Sequence, residues 1–155
     1  NLSASYVSTV TSSSVLQAVE HPGRYDAVKV VDGRESSAWG AARDHAVGEW
    51  FELHFNEEVA VTSLDIMTGF NSRLRGNDLF PRNRRIQRAR ISIGDWSAET
   101  DFADRRGWQT LRLGAPVRGR SLRVTVLGFY EGSRWTDLHV SEIRVWGQPV
   151  RDDGP

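Results

Sequence analysis

Three stretches of this chain carry residue types that bind ions or ligands. The first is Val31-Asp32-Gly33-Arg34-Glu35-Ser36-Ser37-Ala38-Trp39. Asp-Gly makes a tight turn, and Ser37 returns an oxygen soon after Asp32. Such a loop wraps a hard cation with carboxylate, hydroxyl and carbonyl oxygens. An Asx-turn, with Asp32 and Ser37 bonding their own backbone, explains the same spacing and is the simpler reading. The second stretch holds Arg73, Arg75, Arg82, Arg84, Arg85, Arg88 and Arg90 against one acid, Asp78. Guanidinium groups grip carboxylate, sulfate or phosphate. A solvated surface balanced by acids elsewhere is the alternative, and it suits Arg88 and Arg90, which fall on the outer side of an alternating strand. The third stretch is Phe129-Tyr130-Glu131-Gly132-Ser133-Arg134-Trp135-Thr136-Asp137. An aromatic beside polar groups suits a sugar, whose C–H face stacks while its hydroxyls hydrogen-bond. The alternative is that Tyr130 or Trp135 plugs the end of the fold; for Trp135 the two readings balance.

Catalytic patterns are missing. The chain has no Gly-x-Ser-x-Gly, no His-Glu-x-x-His and no phosphate-cradling glycine loop. His21, His45, His54 and His139 show no metal-ligand spacing. His139 and Glu142 fall on opposite faces if they share a strand. No carboxylate pair stands out as an acid/base couple. The chain is therefore expected not to be an enzyme.

The elements that must position these stretches repeat with a period of two. Phe51, Leu53 and Phe55 alternate with Glu52 and His54. Leu64 with Ile66, Ala89 with Ile91 and Ile93, Leu122 with Val124 and Val126, and Ile143 with Val145 follow the same rule. These are half-buried strands. Turn signals separate them, among them His21-Pro22-Gly23, Gly94-Asp95 and Gly114-Ala115-Pro116. Short strands without a sustained helical period predict an antiparallel sandwich or barrel. Residues 69–85 form the longest irregular segment, and long loops on a β-scaffold carry function. Trp39, Trp50 and Trp146 lie in or beside strands and are expected in the core or on a sheet face.

Composition narrows the partners. The 155 residues fit one domain, divided as a lead-in and first strand (1–14), a binding domain (15–147) and a polar tail (148–155). Net charge is zero, so no global field draws the chain to nucleic acid. Lys29 is the sole lysine; the remaining cations are arginines, suited to bidentate bonding and stacking. Without cysteine there is no disulfide and no thiolate metal site. No apolar run reaches membrane-spanning length. The opening Asn1-Leu2-Ser3 does not read as a signal peptide, and the chain reads as a part of something larger.

Asp32-Gly33 with Ser37-Ala38-Trp39, then Gly48-Glu49-Trp50-Phe51-Glu52-Leu53-His54-Phe55, resembles the front half of discoidin (coagulation factor 5/8 C-terminal-like, galactose-binding-like) domains. Thr68-Gly69-Phe70-Asn71, Asn83-Arg84 leading into 86–93, and Phe129-Tyr130-Glu131-Gly132 through Asp137 to Val140-Ser141-Glu142-Ile143 resemble the NADase-type glycan-binding branch. The ordered match spans residues 15–147. The resemblance implies an all-β, eight-stranded antiparallel jelly-roll sandwich with a non-enzymatic binding role, commonly for cell-surface or cell-wall carbohydrate. It also implies a structural calcium held by Asp32, Ser37 and Glu142, with backbone carbonyls near Val30 and Arg34. Ser37 stands where the pattern commonly has Thr and keeps the hydroxyl. Arg34 stands where Asp or Asn is common, and its charge opposes a cation.

The expectation is a carbohydrate-binding module of an extracellular or cell-surface protein. Its glycan site is expected at one end of the sandwich, from Tyr25, His45, Asn71, Arg73, Arg75, Asn77, Asn83, Arg84, Tyr130, Arg134 and Trp135. Loops 71–84 and 130–135 are expected to meet there, and the arginines point to an acidic ligand. Other domains of a larger parent protein are further expected partners. A protein–protein adapter is the first rival, recognisable by a broad apolar patch in place of a polar pocket. An anionic-lipid binder is the second and less favoured rival, with Leu74, Leu79 and Phe80 as apolar spikes among arginines.

Overall fold

The computed structural model describes residues 1–74 and 76–151. A one-turn helix α1 (Leu2–Ser5) leads into β1 (Val7–Ser12). A 3-10 helix at Ala27–Val31 precedes β2 (Trp39–Gly40) and the long strand β3 (Trp50–Met67). The loop beyond carries β4 (Arg73–Leu74), β5 (Asn77–Asp78) and the single turn α2 (Leu79–Arg82). There follow β6 (Arg85–Ile93), β7 (Trp96–Asp101), β8 (Trp108–Tyr130), β9 (His139–Val140) and β10 (Glu142–Pro149).

The main sheet has six antiparallel strands in the order β1-β3-β8-β6-β7, with β10 also on β3. Strands β3 and β8 run unbroken across irregular registers between His54 and Val59 and between Val61 and Ser63. The first half of β3 pairs with β1 and the second half with β10. Each long strand thus pairs with different partners along its length, and the register slips between the two halves.

Alternation decides which side faces inward. Phe51, Leu53, Leu64, Ile66, Ile91, Ile93, Leu122, Val124, Ile143 and Val145 are fully buried in one core. Their neighbours Glu52, Arg88, Arg90 and Arg123 point outward and pair across strands, Arg88 with Glu99 and Asp101 and Arg123 with Glu52. Trp39 is fully buried, whereas Trp50 lies on a sheet face beneath the Arg123 guanidinium, 3.7 Å from its ring centre. Trp146 sits on another face and donates to Asp65.

Candidate functional site

The loops at one end converge because backbone groups tie them together. Ser133 donates its N–H to the Pro81 carbonyl at 3.0 Å, and Trp135 donates to Arg82 at 2.9 Å. Arg84 donates to the Asp137 carbonyl at 2.8 Å. Loops 71–84 and 130–135 therefore meet. Asp78 caps α2 by accepting from the Phe80 N–H. Phe80 then packs against Gly69, where a Cβ would collide with its ring.

At this end lies a cleft of about 370 Å³. Its back wall is an aromatic trio. The His139 ring sits 4.9 Å from Tyr25 and 4.8 Å from Phe70, and Tyr25 meets Phe70 edge-on at 6.2 Å. Trp135 and Leu74 stand at the rim, 37% and 47% exposed, enough to meet a ligand. Arg24, Arg43, Asn83 and Asp137 supply polar groups. Burial pushes the Asp137 carboxyl above its ordinary value, against the pull of Arg43. Burial lowers His139 to about 3, so its imidazole is neutral and offers one donor and one acceptor. Its Nδ1 is buried without a partner, beside Gly40.

Of the eleven residues expected from sequence, Tyr25, Asn83 and Trp135 line this cleft. The Asn83 side chain also donates to the Leu79 carbonyl at 3.0 Å, so it stiffens α2. His45 and Arg84 line a neighbouring groove with Asp44, Val47 and Phe129. There His45 is bonded to Glu49 at 3.0 Å, and Arg84 lies over the Phe129 ring and pairs with Glu131 at 2.9 Å. Tyr130 is tied by its hydroxyl to the Phe102 carbonyl at 2.7 Å. Asn77 accepts from Arg82, and Arg73 faces Asp78 at 3.9 Å. Asn71 has a buried Oδ1 without a partner and a backbone N–H held by Ser141. Arg134 stacks over Trp135 at 4.9 Å. Arg75 lies outside the described residues.

Sequence reasoning missed His139, Arg24 and the segment 16–18, all of which line the cleft. Metal-ligand spacing is silent about the aromatic wall that His139 forms. Arg24 adjoins Tyr25 after the turn His21-Pro22-Gly23, a signal that was available. Of the three apolar spikes named for a lipid surface, Phe80 is buried and Leu79 half-buried, leaving Leu74 exposed.

Asp32, Ser37 and Glu142 also come together. The Asx-turn is present: the Arg34 N–H donates to Asp32 at 2.9 Å, and Ser37 donates to Asp32 and to the Arg34 carbonyl. The Gly33 N–H donates to both Glu142 oxygens, at 3.3 and 3.2 Å. Burial, then the negative Asp32, pushes Glu142 up to about 8. Among the described residues no cluster of three or more His, Cys, Asp or Glu side chains suits a metal. Two carboxylates, a hydroxyl and turn carbonyls nonetheless suit the oxygen preference of calcium.

A family model, the NAD glycohydrolase translocation F5/8 type C domain, matches residues 3–146. The chain belongs to this family. No curated protein matches it. The fold of this F5/8 type C domain is similar to solved carbohydrate-binding modules. One is a family 32 module of NanJ from C. perfringens, in complex with galactose, at 17% identity and TM-score 0.68, over 88% of this chain and 91% of that one. Another is module CBM32-3 of a family 31 glycoside hydrolase from Clostridium perfringens, at 15% identity and TM-score 0.73, over 95% and 94%. A third is the CBM32 of AlyQ in complex with 4,5-unsaturated mannuronic acid, at 16% and 0.62, over 90% and 95%.

Proposed function

We propose that this F5/8 type C domain is a non-catalytic carbohydrate-binding module, and that its glycan sits in the cleft between Tyr25, His139 and Trp135. The observation that carries this reading is the cleft's mixed lining. An exposed indole at the rim offers a stacking floor for a sugar's C–H face. Arg43 and Asp137 offer donors and acceptors for hydroxyls. The solved modules of the same fold support it, since one holds galactose and another a uronic acid derivative. An adapter would need a broad apolar patch, whereas this rim alternates apolar and polar groups.

The parent protein is proposed to be secreted or surface-bound, where such glycans are met. Asp32, Ser37 and Glu142 are proposed to hold a structural calcium ion. When bound, calcium would supply positive charge between the Asp32 and Glu142 carboxylates, tying the first loop to β10.

A glycan array screened with the isolated domain and with Trp135→Ala tests the reading. The domain should bind a restricted set of glycans, at micromolar to millimolar affinity typical of shallow single sites, on the order of −4 to −8 kcal/mol. Trp135→Ala should lose those signals while melting normally. Wild-type signals from the variant, or no glycan bound by either protein, would contradict the proposal.

A further inference from the structure

A second depression of about 230 Å³ shares the walls Arg24, Tyr25 and Phe70 with the main cleft. Its far side is made by Lys29, Arg34 and Ser36, and no carboxylate lines it. Three cations thus surround one small space in a chain of zero net charge. Arg84, Arg85, Arg88, Arg90, Arg106 and Arg123 each pair with an acid, whereas this space gathers three cations with no carboxylate in its lining. Among the described residues, Arg24, Lys29 and Arg34 make no ion pair; the ten pairs present all involve other cations. The nearby Asp32 carboxylate is occupied by Ser37 and by the Arg34 N–H.

Like charges gathered in one concavity repel, and an anion completes the set. Lys29 is held by the 3-10 helix, whose Ala27 and Val30 are anchored in the core. Arg24 is held over the Tyr25 ring, 5.5 Å from its centre. The backbone that carries Lys29 and the Arg24 guanidinium are therefore placed before a ligand arrives, which reduces the ordering cost of binding.

We propose that this pocket receives an anionic substituent, a carboxylate or sulfate, of a sugar whose ring lies in the main cleft. Tyr25 and Phe70 form the partition between ring and charge. The inference rests on the glycan reading of the cleft and adds the ligand class. It also moves the source of acid preference. The arginines at 84–90 are spent on internal ion pairs, whereas among the described residues the cations at 24–34 make none and share a concavity free of carboxylates.

The test uses immobilised polygalacturonate and a sulfated galactan, each beside its neutral counterpart, methyl-esterified polygalacturonate and unsulfated galactan. The wild-type domain should bind at least one acidic polymer about tenfold or more tightly than its counterpart, the scale of one charge-assisted hydrogen bond. Whichever acidic polymer shows the preference identifies carboxylate or sulfate. The double variant Lys29→Gln, Arg34→Gln should bind the acidic polymer no better than the neutral one and keep its neutral binding. Arg118→Gln with Arg120→Gln, removing equal charge beside Glu57 and Glu58, should retain the preference. Trp135→Ala should weaken binding to every polymer. Equal wild-type binding to acidic and neutral polymers overturns this inference and leaves the glycan reading standing. So does a preference that survives in the Lys29/Arg34 variant, or one that vanishes equally in the Arg118/Arg120 variant. Failure to bind any polymer or any array glycan overturns both.

Discussion

His139 shows how one side chain can hold a site without a charge. Its ring packs between Tyr25 and Phe70, and burial lowers its pKa from 6.5 to about 3. In the unfolded chain the ordinary value returns. Between 6.5 and about 3 the unfolded state therefore binds a proton that the folded state refuses. Stability is present above that window and is lost as pH falls through it. His139→Gln removes this linkage. The stability advantage of wild type over His139→Gln should thus shrink between about pH 7 and about pH 4 in urea titrations. A constant difference would show that His139 titrates normally. Trp135 is the complementary case. Its backbone N–H holds the loop while its indole stays exposed, so truncation should cost binding and little stability.

The elements bring these side chains together through contacts that alternation does not encode. Gly132 is the tightest example. A Cβ there would meet the Trp135 and Arg82 carbonyl oxygens well inside van der Waals contact. Gly132→Ala should push α2 away from loop 132–135, cost roughly 1–3 kcal/mol as an overpacked site, and lower glycan binding. Denaturant melts and binding titrations check both, and a variant with wild-type stability and affinity would contradict the junction. The loop around Asp32 gives a second expectation. If calcium bridges Asp32 and Glu142, chelation should lower the melting temperature by mass action without unfolding the domain, and Asp32→Ala should remove the response. An unchanged melting curve on chelation counts against the ion. The meeting of loops 71–84 and 130–135 was legible only through the resemblance, because residues this far apart leave no local signal. The role of each arginine was not legible at all. Partners such as Glu131 for Arg84 and Asp104 for Arg85 lie 47 and 19 positions away and are chosen by strand pairing, not by spacing.

For the whole molecule, the inward residues named from period-two alternation are those that fill the core, from Phe51 to Val145. Burial on one face leaves that pattern in any sequence. Strand continuity was harder to read. Phe51 to Phe55 and Leu64 to Ile66 read as separate strands because Asn56, Glu57 and Glu58 interrupt the apolar pattern, yet β3 runs on through them while its register with β8 slips. The resulting scaffold places Trp135, Tyr25 and the cations at 24–34 at one end, away from the groove lined by Glu57, Glu58, Arg118 and Arg151. Sugar is proposed to bind at the first of these. Chemical-shift mapping of the isotope-labelled domain, titrated with an array-selected glycan, tests it most directly. The Trp135 indole N–H and the amides of Tyr25, Arg43, Asn83 and Asp137 should move together with a single saturation curve, while the Trp146 indole and the amides of Glu57, Arg118 and Gln148 stay still. Shifts confined to that second set, with the Trp135 indole unmoved, would contradict the account.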